Sequence, residues 1–164
     1  MTAARLGLAA AAGSLALLLG AFTFEHLGGL APCNLCLWQR WPHAAAVLVG
    51  GLLLWRPWPA LLFLGAAAAL TTSAIGFYHA SVELGWVMGP TSCSAGPVSG
   101  GSSEDLLASI MAAPIVRCDE VAWSLAGISM AGWNALISAA LASVWLLAAT
   151  RAVVWAQASS SASQ

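Results

Sequence analysis

Charged positions are rare along this chain, and four long apolar stretches lie between them. Leu6 to Phe24 runs 19 residues without a charge. Trp41 to Trp55 runs 15, extended to about 19 from Leu37 with Gln39 and Arg40 near the water boundary. Trp58 to Ala80 gives 23, and Val121 to Thr150 gives 30. About 20 residues rising 1.5 Å each cross the hydrocarbon core of a bilayer, so each stretch predicts one transmembrane helix. The expected spans are about 6–24, 38–55, 58–80 and 130–150, and the first third of the last stretch falls outside the hydrocarbon. A cleaved signal peptide is the rival reading of the first stretch, because Arg5 followed by an apolar run imitates one. The run is longer than the usual apolar region of a signal, and no clear small-x-small site separates it from Glu25 and His26.

Composition agrees with the spans. Sixty per cent of residues are hydrophobic, 7% are charged, mean hydropathy is +0.86, and lysine is absent. A soluble domain of this length has too little interior to hide that much apolar surface. The expected fold class is therefore an all-α membrane protein, a four-transmembrane-helix bundle forming a single domain over residues 1–155, with 156–164 as a disordered cytoplasmic tail. Net charge near zero gives no sign of nucleic-acid binding.

With four spans, Arg5, Arg56 and Arg151 fall on one side of the membrane. All six acids fall on the other with Arg40 and Arg117, which gives +3 against −4. The basic excess marks the cytoplasmic face, so both termini are expected inside. Trp38, Trp41, Trp55 and Trp58 stand at the expected boundaries, where amphipathic rings favour the interface. Pro57 and Pro59 predict a tight cytoplasmic turn between the second and third spans. The large outer connection, about Ser81 to Ser129, contains the Gly/Ser/Pro-rich "GPTSCSAGPVSGGSS", expected to be mobile. The following "SSEDLLASIMAAP" predicts a short helix, with Ser102 and Asp105 as a capping box and Leu106, Leu107, Ile110 and Met111 as an apolar stripe suited to the bilayer surface.

The topology changes the meaning of the cysteines. Cys33 and Cys36 lie in the first outer connection and Cys93 and Cys118 in the second, so all four thiols face the extracytoplasmic side, where disulfides persist. Three readings compete. Structural disulfides are the ordinary one. Zinc could take four thiolates, but the spacing lacks a second close pair. The third is redox exchange, and "APCNLCLWQR" favours it. Cys33 stands where the second helix begins, at the positive end of its dipole, and Cys36 shares a helix face with Arg40. Both effects favour the thiolate, the reactive species. Residues three apart on a helix are also close enough to close a disulfide. Cys93, in a Gly/Ser loop, suits exchange with another protein. By position alone, Arg40 is equally an interfacial anchor and His79 an interfacial histidine.

Several segments together resemble the DsbB family of bacterial membrane disulfide-forming proteins: "PCNLCLWQR", "FEHLGGLAPC", "FYHASVELG" and "RCDEVAWSLAGISMAGWN". The resemblance covers nearly the whole chain. It implies a quinone-dependent thiol:disulfide oxidoreductase of the inner membrane that reoxidises a periplasmic DsbA-like thioredoxin-fold partner. Carried over by motif, Cys93 forms the mixed disulfide with that partner and Cys118 is its pair. Electrons then pass to Cys33 and Cys36 through a transient Cys33–Cys118 bond. Cys36 faces ubiquinone or menaquinone, Arg40 stabilises the thiolate and the developing quinone anion, and His79 lines the pocket. The resemblance implies no metal. A DsbA-like partner is among the most oxidising protein dithiols, near −120 mV, so a strongly oxidising terminal acceptor has to drain the chain. Two departures from the family pattern stand out: Glu25 where members often carry Gln, and Gln39 where some carry an acid. The rivals are a non-catalytic bundle with structural disulfides and a vitamin K epoxide reductase-like enzyme. In the latter family the Cys-x-x-Cys comes late in the chain, whereas here it opens the second span.

Overall fold

A computed structural model describes residues 2–90, 102, 104 and 116–161. Four long helices are present among them: α1 (Ala3–His26), α2 (Asn34–Trp55), α3 (Pro59–Glu83) and α4 (Met130–Ser161). Three of the four, α1, α3 and α4, are long and apolar enough to cross a membrane. The fourth, α2, carries Asn34, Gln39, Arg40 and His43 in its first half, and that polar content separates it from the others. Cys93 and, apart from Ser102 and Glu104, the surface helix expected at 102–114 lie outside the described residues.

The helix ends follow local chemistry. Thr2 caps α1, its hydroxyl accepting from the Arg5 amide. Arg56, Pro57 and Trp58 alone join α2 to α3, and Pro59 opens α3 at a position where a missing N–H costs nothing. The expected disordered tail begins too early, because α4 continues through Ser161. Ala and Gln are adequate helix formers, and the hydroxyls of Ser159, Ser160 and Ser161 donate to carbonyls three residues back.

The first third of the last apolar stretch is not helical. It forms a small antiparallel ladder, β1 (Ser124–Leu125) with β2 (Ile128–Ser129), which the all-α expectation did not include. Ala126 and Gly127 turn it, with φ of 52° and 78°. Two main-chain acceptors fix this hairpin to the start of α4: the Trp133 indole N–H donates to the Leu125 carbonyl, and the Met130 amide to that of Trp123.

Packing among the helices depends on small residues, as expected where lipid is as apolar as the core. The most extensive interface is between α3 and α4. At Gly76 a Cβ would lie 3.0 Å from the Ala135 nitrogen, so these backbones nearly touch. Lower in the bundle the fully buried Trp145 fills the centre, with Leu53, Leu62 and Ala66 around it. A Cβ at Gly65 would lie 2.6 Å from its ring. A second buried cluster, at the opposite end of α2 and α3, holds Cys33, Leu35, Val82 and Cys118.

Gly65→Ala is therefore expected to cost about 1–3 kcal/mol by overpacking, and Trp145→Ala about 3–5 kcal/mol by leaving a cavity. Detergent-induced unfolding in mixed micelles measures both. In the double variant the alanine at 65 should cost much less than it does alone, because the ring it would strike is gone.

Candidate redox site

The chain reaches α2 through Pro32 and Cys33, and Cys33 is its N-cap. With extended backbone (φ −77°, ψ 171°), the Cys33 sulfur turns back to accept from the Cys36 amide at 3.3 Å. A sulfur thus takes the place usually held by a serine or aspartate oxygen. Cys36 lies one turn on, and the two Sγ atoms share a hydrogen bond across 3.2 Å, both unbonded to other sulfurs. The sequence-derived expectation that this pair begins the second helix is borne out.

From α3, His79 approaches the same sulfur, with Nε2 3.5 Å from Cys33 Sγ. Glu83, one turn further along α3, brings Oε1 to 3.8 Å from that Nε2. Cys118 is disulfide-bonded, and its Sγ, that of Cys33 and a ring nitrogen of His79 all lie within 4.8 Å of one another. That donor set could be mistaken for a metal centre. A sulfur already committed to a disulfide is not a thiolate ligand, so the three groups do not form a metal-binding set in this state.

The Cys33 thiol is lowered to about 4, chiefly by its hydrogen bond with Cys36, with further help from the His79 contact and against the effect of burial. Thiolate character therefore concentrates on Cys33. The sequence placed Arg40 at the service of Cys36, but the guanidinium has other contacts. It donates to the Glu25 carboxylate of α1 and lies 4.9 Å from the centre of the Phe22 ring. Its Nε is buried and has no hydrogen-bond partner among the described residues.

Beside Cys36 opens a cavity of about 410 Å³. Its walls are mostly apolar, including Leu17, Phe24, Trp123, Met130 and Ile137, while Cys36, Arg40, His79, Gln39, His43 and Asn134 supply the polar edge. Phe24 of α1 stacks at a tilt on Trp123, 5.2 Å between centres, which closes one wall. The size falls in the range of small-molecule pockets, roughly 300–1,000 Å³, and so does the mixture of apolar wall and few polar groups.

A family model described as "Disulfide bond formation protein DsbB" matches residues 3–148. The chain belongs to the DsbB family. A disulfide bond formation protein B from Polaromonas sp. is 28% identical over 149 residues, covering 83% of this chain and 84% of the relative. An uncharacterised protein from Rickettsia prowazekii is 26% identical over 125 residues, covering 74% and 73%. No solved structure matches the chain significantly. Membership in the DsbB family implies thiol oxidoreductase chemistry in disulfide-bond formation, and the membrane-competent helices agree with it.

Of the six site residues expected from the sequence, the structure gathers Cys33, Cys36, His79 and Cys118 at one end of the bundle, with Arg40 on the wall of the adjoining cavity. Sequence reasoning assigned no role to Gln39, His43, Thr72 or Asn134, all of which join the polar edge or its hydrogen bonds. The signal was present: polar side chains inside apolar stretches are expensive in a membrane and tend to be functional.

With its thiol well below the usual range, Cys33 of the reduced protein should react with a small alkylating reagent at a nearly constant rate from about pH 6 to pH 8, whereas an ordinary thiol speeds up roughly tenfold per unit. The rate should fall only as acid approaches the thiol's own value. Peptide mass spectrometry after timed alkylation reads this residue by residue, and an ordinary rising profile for Cys33 would contradict the assignment.

Proposed function

We propose that this protein reoxidises a periplasmic DsbA-like, thioredoxin-fold thiol oxidase and delivers the electrons to a membrane quinone, ubiquinone or menaquinone. The observation that carries the proposal is the joint placement of Cys33 and Cys36. One sulfur lies within 4.8 Å of disulfide-bonded Cys118, and the other lines an apolar cavity. A cysteine pair between a second cysteine pair and a greasy pocket is arranged to take electrons from the one and deliver them to the other.

Each residue has a task in this scheme. Cys93 meets the reduced partner, and Cys118 takes over as the sulfur facing Cys33. Freed as a thiolate, Cys118 attacks Cys33 and breaks the Cys33–Cys36 disulfide, within reach by a small side-chain movement, and the thiolate character of Cys33 makes it a good leaving group when Cys93 closes on Cys118 again. Arg40, fixed by Glu25, keeps a buried Nε donor free at the cavity, where an oxygen acceptor of a quinone ring would complete it. His79 stands between the exchange point and the cavity wall. A bound quinone takes up two electrons and two protons, the equivalents released when a dithiol closes to a disulfide.

In this reading α2 crosses the bilayer as the fourth span, packed between α1 and α3 and of similar length. Both termini are cytoplasmic, and the cysteines open to the periplasm, in the inner membrane.

Purified protein in detergent should oxidise a reduced DsbA-like protein only when ubiquinone is supplied. Cys36→Ser should abolish quinone reduction. Arg40→Leu should raise the KM for quinone roughly tenfold or more, from loss of a hydrogen bond to a charged donor, while leaving the KM for the protein partner within about twofold. Turnover without quinone, or Cys36→Ser at the parental rate, would sink the proposal.

A further inference from the structure

Between α2, α3 and α4 runs a buried chain of side-chain hydrogen bonds, and its polarity is set by two backbone carbonyls. Gln39 Nε2 lies 3.1 Å from the Leu35 carbonyl oxygen and 3.0 Å from His79 Nδ1. A carbonyl only accepts, so the Gln39 atom facing it is the NH2, and that NH2 also donates to His79 Nδ1. The Gln39 oxygen accepts from Asn134 Nδ2 at 2.6 Å. The second carbonyl decides Asn134 independently. Thr72 donates its hydroxyl to the Gln39 carbonyl at 3.2 Å, so toward Asn134, 3.3 Å away, it offers only a lone pair, and the NH2 must face it. Asn134 Oδ1 is then left to accept from His43 Nε2, 2.9 Å away.

Both histidines follow from this. Nδ1 of His79 is an acceptor, so a neutral His79 carries its proton on Nε2, the atom 3.5 Å from Cys33 Sγ. His43 likewise carries its proton on Nε2, and its buried Nδ1 has no partner among the described residues. Gln39 is 6% exposed and both histidines 3%, so the bond between Gln39 and His79 is buried.

We infer that Gln39 is a positioning residue. Held by the Leu35 carbonyl, it locks His79 in the Nε2–H form, so that the Cys33 sulfur always meets an N–H donor and never a ring lone pair. The inference deepens the proposed function, since it names what keeps Cys33 ready for exchange. The other groups facing Cys33 are Cys36 on α2, Glu83 on α3 and Cys118 before β1. None of these replaces the amide at Nδ1. Glu83 presents an acceptor to Nε2, 3.8 Å away, so it shares the same proton.

The test needs neither quinone nor partner, so its failure leaves the turnover scheme standing, and failure of turnover leaves the tautomer question standing. Nitrogen-15 spectra of histidine-labelled, reduced protein in micelles report which ring nitrogen holds the proton, with His43→Gln and His79→Gln assigning the signals. Both residues should show the Nε2–H pattern. In Gln39→Met, which keeps the volume and removes the donor, His79 should become a tautomer mixture. The pH midpoint of Cys33 alkylation should rise by about one unit, a tenfold change in thiolate population below it. Gln39→Glu, whose carboxylate calls for a proton on Nδ1 while Nε2–H is kept, should give a doubly protonated His79 and restore the low midpoint. A wild-type His79 protonated on Nδ1 would overturn the inference without any variant. So would a Gln39→Met protein that is less stable yet unchanged in tautomer and midpoint.

Discussion

An apolar bundle has no water to lend to its polar side chains, and this constraint organises the upper half of the molecule. Gln39, Thr72, His79, His43 and Ser138 are buried and Asn134 partly so, and each finds a partner on a neighbouring helix. The result is one connected set of bonds through α2, α3 and α4. Because α2 is held to α3 by these bonds, the cap of α2 is held as well, and with it the position of Cys33 against His79. Lower in the bundle the same helices meet through glycine, alanine and one tryptophan, where fit replaces hydrogen bonding.

The redox end combines two environments that rarely adjoin. Cys33 sits among polar groups: a helix-start amide, the neighbouring sulfur and an imidazole nitrogen. Cys36, one turn away, borders an apolar cavity. The pair therefore spans a steep change in polarity within a few ångströms. The Glu25–Arg40 ion pair works at the same border, tying α1 to α2 and neutralising a charge that would otherwise be costly in so apolar a bundle.

Much of this was legible in the chain. Runs free of charge announced the helices, and the Cys-x-x-Cys after Pro32 announced the start of α2, because length and capping are local properties. The hairpin at 124–129 was not legible, since a two-residue ladder depends on the α4 groups that receive it rather than on its own pattern. The helical continuation past Gln157 was missed because a run of serines reads as tail, whereas each hydroxyl can satisfy a carbonyl of its own last turns. Spacing of four along α2 pointed Arg40 toward Cys36, and both line one cavity, but its ion pair with Glu25 reaches across to another helix, which spacing along one helix does not show. Gln39 and Asn134 lie 95 positions apart, and nothing in the linear order says that they touch.

The three residues joining α2 to α3 carry a consequence for biogenesis in the proposed topology. A segment with Arg40, Gln39 and His43 is a reluctant guest in lipid by itself. So short a link means that it leaves the ribosome almost together with the strongly apolar α3, and the two can partition as a helical pair. Insertion of the weaker member would then be carried by the stronger, and lengthening that link would uncouple them.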